Sequence, residues 1–317
     1  MFLSQGSILR GALFSFLGFT IFVCSDAFTK SAGLTGISPS FIMCLSGWAA
    51  VITVLLGLLP SRDYGRLKPK RWKLQGLRTV LFLLCSYVNV IAFTNLPLTT
   101  VYIGLFASPF LISLVGALFL HEPLGRRQIF AIGLGFFGVL IALLPEMQPN
   151  TSPDAHKLFI GFLALAAFLV LYVATMLILR VLGRTEAPES STLIPFLARG
   201  LVFLPCLWID PVSQIPASTI LMTIGVGVCA GLGFLLTASA YKLAPVAIVS
   251  SFHYTQLVTG AFLGYLLWGT VPSLWVFAGG ALIITSGFIV AHEAHRQNRE
   301  AVAQRLVLKN QSEQGLA

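Results

Sequence analysis

Apolar residues along this chain gather into runs of about 17 to 25 positions, the length at which a helix crosses the hydrocarbon core of a bilayer. Short polar stretches separate them, many marked by proline: Pro39, Pro60, Pro97, Pro123, Pro216, Pro245 and Pro272. Inside a bilayer each backbone donor and acceptor must be satisfied within the segment, so every run is predicted as a helix. The pattern gives ten spans, at 8–29, 40–59, 74–93, 99–120 and 128–144, then 158–179, 192–208, 219–241, 246–268 and 274–291. The expected fold class is therefore an all-α membrane protein of ten transmembrane helices. Arg10 ahead of the first run invites comparison with a secretory signal peptide, but no small-residue cleavage site follows, and the run is read as a retained helix.

Lysine and arginine sharpen this picture. If the ten spans alternate, sixteen basic residues fall on one side: Arg10, six between Arg62 and Lys73, Arg126, Arg127, Arg180, Arg184, Lys242 and four beyond residue 295. The other side receives Lys30 and Lys157, while Arg78 and Arg199 lie within spans. By the positive-inside rule this places both termini in the cytoplasm, and a miscount by one helix would scramble the split. The chain as a whole is 56% hydrophobic and 10% charged, against about 25% charged in an ordinary soluble domain. Its formal charge of +9 sits in loops, where it serves topology and not nucleic acid. Five cysteines, Cys24, Cys44, Cys85, Cys206 and Cys229, lie inside apolar runs and read as small hydrophobes.

The sequence also repeats itself weakly. An offset near 148 aligns Pro97 with Pro245, Ala92 with Ala240, Val101 with Val249, Gly116 with Gly264 and Leu118 with Leu266. Each half then holds five spans, and because five is odd the second half enters from the opposite side. This is the pattern of two inverted repeats, the architecture that suits alternating access. The expected division is a first repeat at 1–145, a second at 146–292 and a cytoplasmic tail at 293–317.

Residues 96–143, with Pro97, Ser108-Pro109, the run Leu120-His121-Glu122-Pro123 and the glycines Gly133 and Gly138, resemble the end of an EamA domain of the drug/metabolite transporter superfamily. Residues 242–292 resemble a second copy, through Lys242-Leu243-Ala244-Pro245, Tyr254-Thr255-Gln256-Leu257, the run Leu267 to Pro272, and Gly279-Gly280 with Gly287. The resemblance implies a ten-helix secondary carrier, commonly of the bacterial inner membrane, with a cavity lined largely by the third, fourth, eighth and ninth helices. The chain departs from the pattern where Ser108 replaces an acidic residue frequent in relatives and Thr270 stands where the first copy has Glu122. An arginine often seen in the seventh helix is matched by Arg199, whose first-half counterpart near Ser46 is not basic.

Polar groups within spans are the candidates for function, since each is costly in a bilayer without a partner or a wet cavity. Arg199 either grips an anionic group or braces two helices. Asp26 and Lys30, four apart on one helical face, either couple or gate transport or form a local ion pair. Val249, His253, Gln256, Gly260 and Gly264 follow one helical stripe, with His253 able to titrate and Gln256 and Tyr254 able to orient a ligand. Tyr87, Asn89, Tyr102 and Ser108 add neutral polar groups near the Pro109 break, and Glu122 is a further gating candidate. These residues are the candidate substrate-binding and translocation set, with polar glue between helices as the plain alternative.

Three other features are discounted. His292-Glu293-Ala294-His295 has its histidines three apart instead of the four a zinc helix uses, Asn150-Thr151-Ser152 is a common chance match, and the basic run 62–73 is explained by topology. No phosphate-binding Gly-Lys-Ser/Thr loop is present. The sequence thus reads as a non-enzymatic secondary transporter of a small organic metabolite, an amino-acid exporter or an importer of a cofactor-like or nucleoside-like solute. Rival readings are an intramembrane lipid-modifying enzyme and a non-transporting membrane subunit. The expected partners are the metabolite and the lipid bilayer, with no nucleic acid, cofactor or metal, and with homodimerisation left open.

Overall fold

Helices are the only regular secondary structure among the described residues of the computed structural model, which are 5–58, 63–96, 98–105, 108, 111, 115, 126–143, 155–183, 185–208, 215–243, 249, 252–269, 271, 273–275, 277–282, 284–286 and 288–289. In chain order α1 is Gln5–Gly33, α2 Pro39–Leu58, α3 Trp72–Asn95, α4 Leu98–Leu105 and α5 Arg126–Leu143. Then follow α6 Ala155–Leu182, α7 Pro188–Val202, α8 Ala217–Leu243 and α9 Thr255–Trp268. Short 3-10 turns occupy Tyr64–Leu67, Leu204–Trp208 and Phe252–Tyr254, and a further apolar helical stretch covers Phe277–Ser286.

Six of the described helices are long and apolar enough to cross a membrane: Leu9–Gly33, Pro39–Leu58, Trp72–Asn95, His156–Leu182, Pro188–Trp208 and Ala217–Leu243. Their outward faces carry bare apolar side chains such as Leu56, Leu84, Leu163 and Leu221. That would be costly against water but is ordinary against lipid. Trp72 and Trp208 stand exposed at the ends of two of these spans, as interfacial aromatics do.

Packing is dominated by pairs from different parts of the chain. The most extensive is α1 along α8, followed by α3 along α6, and α2 is clamped between α7 and α8. Close approach at this clamp depends on small residues. A Cβ added at Gly47 would sit 2.6 Å from the backbone nitrogen of Gly200, and one added at Gly200 would sit 3.1 Å from Trp48. Two glycines facing each other let the α2 and α7 backbones touch, the device by which membrane helices gain dispersion contact without a hydrophobic driving force.

Several expected boundaries shift. The seventh span begins at Pro188, which supplies the fixed φ a first helical turn wants, and ends at Val202 before passing into the turn Leu204–Trp208. The ninth is not one continuous helix, because Phe252–Tyr254 form a 3-10 turn ahead of α9. The stripe from Val249 to Gly264 therefore breaks at His253. Of the fourth span only α4 and the single positions Ser108, Leu111 and Val115 are described, all helical. Glu122, the zone around His292 and the expected tail lie outside the described residues.

Candidate functional site

A partly enclosed cavity lies between the helices at mid-span. From α1 it takes Phe22, Ser25 and Asp26, one helical turn that presents i, i+3 and i+4 on one face. From α3 it takes Phe82, Cys85, Ser86, Asn89 and Phe93, and from α6 Phe168, Tyr172, Thr175 and Met176. Phe196 and Arg199 of α7, Ala230 and Phe234 of α8, Leu105 of α4 and Gln256 of α9 complete the described lining. Among the described residues the third, fourth, eighth and ninth helices supply half of this lining, and α1, α6 and α7 supply the rest.

The walls are aromatic. Phe82, Phe196 and Phe234 meet one another edge to face, with centroids 5.2 to 5.5 Å apart and planes at 75° to 77°. Phe22 joins at 4.9 Å from Phe234. Such T-shaped contacts place the positive edge of one ring on the negative face of the next and stiffen the wall.

Arg199 lies at the margin of this aromatic cluster and is 4% exposed. Its Nη2 donates to Ser46 Oγ at 2.9 Å, and its guanidinium carbon stands 4.6 Å from the Phe196 centroid and 5.9 Å from that of Phe82. The Nε has no hydrogen-bond partner. Ring faces stabilise a cation, yet a guanidinium so enclosed, with one hydrogen bond, is far from fully solvated by protein. Gln256 Oε1 and Thr175 Oγ1, on the same cavity, are likewise buried and unpartnered.

Other expected residues fall in different places. Asp26 and Asn89 line the cavity. Lys30 does not; its Nζ donates to the Leu96 carbonyl at 3.0 Å and lies 5.3 Å from the Trp268 ring, at the end of α1 where Lys30 ties together three segments. Tyr87 stacks on Phe203 at 5.8 Å in a separate apolar cluster. Two positions apart on a helix are about 200° apart in direction, so Tyr87 and Asn89 of α3 cannot share one wall. His253 is buried behind the lining, its Nε2 hydrogen-bonded to the Tyr172 hydroxyl at 2.8 Å and its ring against Phe19. Ser108 is buried with its hydroxyl unpartnered and does not line the cavity. Tyr102 lies in α4 and Tyr254 in the 3-10 turn, and their side chains fall outside the described residues.

The α6 contribution, Tyr172, Thr175 and Met176, was not anticipated. It repeats the i, i+3, i+4 spacing of Phe22, Ser25 and Asp26, and each member lies 150 positions beyond its counterpart. A search of the second half for the geometry surrounding Asp26 would have found it.

Below the cavity on α3 and α7, nearer their amino ends, a polar clasp joins two loops. Glu186 accepts hydrogen bonds from the backbone nitrogens of Lys70, at 2.8 Å, and Arg71, at 2.7 Å, which immediately precede α3. Arg66 and Glu189 form an ion pair at 3.0 Å, and Arg78 Nη1 donates to the Ser191 carbonyl at 2.6 Å.

A bundle of membrane-crossing helices around an aromatic, partly polar cavity at mid-depth defines a carrier of small organic solutes more readily than a channel or an enzyme. The chain belongs to the EamA-like transporter family, whose model matches residues 9–144 and again 158–291. It is similar to the pseudopaline exporter CntI of Pseudomonas aeruginosa, 27% identical over 280 residues that cover 87% of this chain and 94% of the relative. It is also similar to a riboflavin transporter of Vibrio cholerae, 26% identical over 298 residues covering 92% and 96%. A riboflavin transporter of Brucella anthropi is 27% identical over 286 residues, covering 86% and 95%. A solved crystal structure shares the fold with a TM-score of 0.70 at 19% identity, covering 93% of this chain and 99% of that one. The protein is a multi-pass membrane protein, a secondary transporter of small metabolites and not an enzyme.

Proposed function

We propose that the two family matches are two five-helix halves inserted in opposite senses, ten crossings in all, in a bacterial inner membrane with both termini cytoplasmic. The halves rock about the aromatic cavity, which opens to one face of the membrane and then the other. The observation that carries this reading is the make-up of the cavity wall. Phe22 and Tyr172, Ser25 and Thr175, and Asp26 and Met176 are each 150 positions apart, and Phe82 with Ala230 and Ser86 with Phe234 are each 148 apart. Such pairing is what a pseudo-two-fold axis through the cavity would produce.

Helix packing supports the same axis. Exchanging each of α1 to α4 for α6 to α9 turns the α1–α8 pair into α6–α3, and α2–α8 into α7–α3, both of which exist. The α2–α7 and α4–α9 contacts map onto themselves. At the first, Ser46 meets Arg199 and Gly47 meets Gly200, both 153 positions apart, as equivalents must where an axis passes between them. The cargo is a small organic metabolite, and the aromatic wall suits a flat ring such as that of the riboflavin for which two relatives are named.

Accessibility tests this without knowledge of the cargo. With Cys24, Cys44, Cys85, Cys206 and Cys229 replaced, Ser86→Cys is expected to react with an impermeant maleimide from either membrane face. Joining cysteines at positions 66 and 189 with a short bifunctional thiol reagent is expected to abolish labelling from the cytoplasmic face and spare the other. Labelling from one face alone, whether or not the clasp is joined, would refute alternating access.

A further inference from the structure

We infer that the cavity takes a monocarboxylate with an apolar, ring-sized body, its carboxylate docked on Arg199. The inference rests on the proposed role of the cavity as the transport site and names the chemistry of what enters it. Arg199 is a strong base that keeps its proton in proteins. Among the described residues it forms no ion pair, and its one hydrogen bond is to a neutral hydroxyl. A buried charge without a counter-ion is costly in a low-dielectric interior. The other buried arginine among the described residues, Arg78, likewise makes one hydrogen bond, to a backbone carbonyl, and leaves its Nε unpartnered, but it does not line the cavity. Arg199 does line it.

A carboxylate fits what surrounds this guanidinium. The planar fork matches two carboxylate oxygens. Phe196 and Phe82 leave an apolar collar that strips water from the pair, and Phe22 and Phe234 extend it as a surface for a ring. Gln256 and Thr175, buried and short of partners, stand ready for polar groups of the same molecule. Asp26 also lines the cavity, and an acidic side chain there suits a single carboxylate better than a doubly charged phosphate monoester.

The test uses purified full-length protein and a panel of matched acid and amide pairs: phenylacetate and phenylacetamide, indole-3-acetate and indole-3-acetamide, phenylalanine and phenylalaninamide, hippurate and its amide. Riboflavin serves as a flat, uncharged probe and phenyl phosphate as the phosphate arm. Affinity is read from the rise in thermal midpoint with ligand concentration. At least one acid is expected to bind about 100-fold more tightly than its amide, the range of a charge-assisted pair. Arg199→Gln is expected to erase that preference, and Arg199→Lys, which keeps the charge and loses the fork, to weaken it about 10-fold.

Equal binding of acids and amides, acid binding that survives Arg199→Gln, binding by phenyl phosphate alone, or no acid binding at millimolar concentration would each overturn the inference. Riboflavin binding untouched by Arg199→Gln, with no acid bound, would sink the carboxylate and leave the transporter reading intact. The labelling of Ser86→Cys reports on that reading separately. Size-exclusion profiles and ligand-free midpoints of both Arg199 variants show whether each is folded, and Arg199→Lys keeps the test alive if Arg199→Gln is not.

Discussion

The two walls of the cavity are built alike and furnished differently. The first half offers Phe22, Ser25 and Asp26 on one turn, and the second offers Tyr172, Thr175 and Met176 at the matching positions. The acid has become a thioether, and the cation of the second half, Arg199, faces a serine, Ser46, where its equivalent would stand. Under the proposed repeat, backbone correspondence serves the rocking motion, which needs two conformations of similar energy. Asp26 in the first half and Arg199 in the second break the proposed symmetry of the backbone.

The sharpest way to break the comparison is at the proposed axis itself, so Gly200→Leu has the largest expected effect. Its side chain would enter the space of Trp48 and force α2 from α7. A loss of about 3 kcal/mol or more is expected, read as loss of monodisperse protein or a much lower thermal midpoint. Next in size is the exchange of wall chemistry. Asp26→Met is expected to lower flux about 10-fold, the scale of one charged contact, and adding Met176→Asp is expected not to restore it, because the carboxylate then stands on the same half as Arg199. Full restoration would show that only the presence of the charge matters.

Smaller effects compare equivalents directly. Tyr172→Phe makes the second wall match Phe22 and removes the 2.8 Å bond to His253, for an expected loss of about 1 kcal/mol in stability, the net worth of one buried hydrogen bond. Denaturant or thermal unfolding of the purified variant measures it. Ser25 Oγ donates to the Val226 carbonyl at 3.0 Å, whereas its counterpart Thr175 Oγ1 has no partner. Ser25→Ala should therefore cost about 1 kcal/mol, and Thr175→Val should fall within about 0.5 kcal/mol of neutral by the same assay. The reverse order would mean the two positions are not equivalent in their packing.

Much of this was legible from the sequence because lipid is an undemanding but strict solvent. The spans that became α1, α2, α3, α6 and α8 were read within a few residues, since apolar length and loop chemistry fix them. The ends of α7 were not, because Pro188 can open a helix in polar surroundings that hydropathy reads as loop. Asp26, Asn89, Arg199 and Gln256 were visible as polar residues in apolar runs, and the structure gathers all four onto one cavity. Tyr87 looked equally suitable, and only the turn of α3 separates it from Asn89. The phenylalanines of the wall gave no signal at all, since nothing in the sequence distinguishes a ring that lines the cavity from the exposed Phe130 or Phe137 that face outward.

The grip of Glu186 on the start of α3 has a bearing on how this protein can vary. Its partners are main-chain nitrogens, which every amino acid except proline supplies. Lys70 and Arg71 are therefore replaceable as side chains without loosening the clasp, and the loop is free to gain or shed positive charge as insertion into different membranes demands. Drift in that loop is decoupled from the way it holds its neighbour, provided one carboxylate stays where it is.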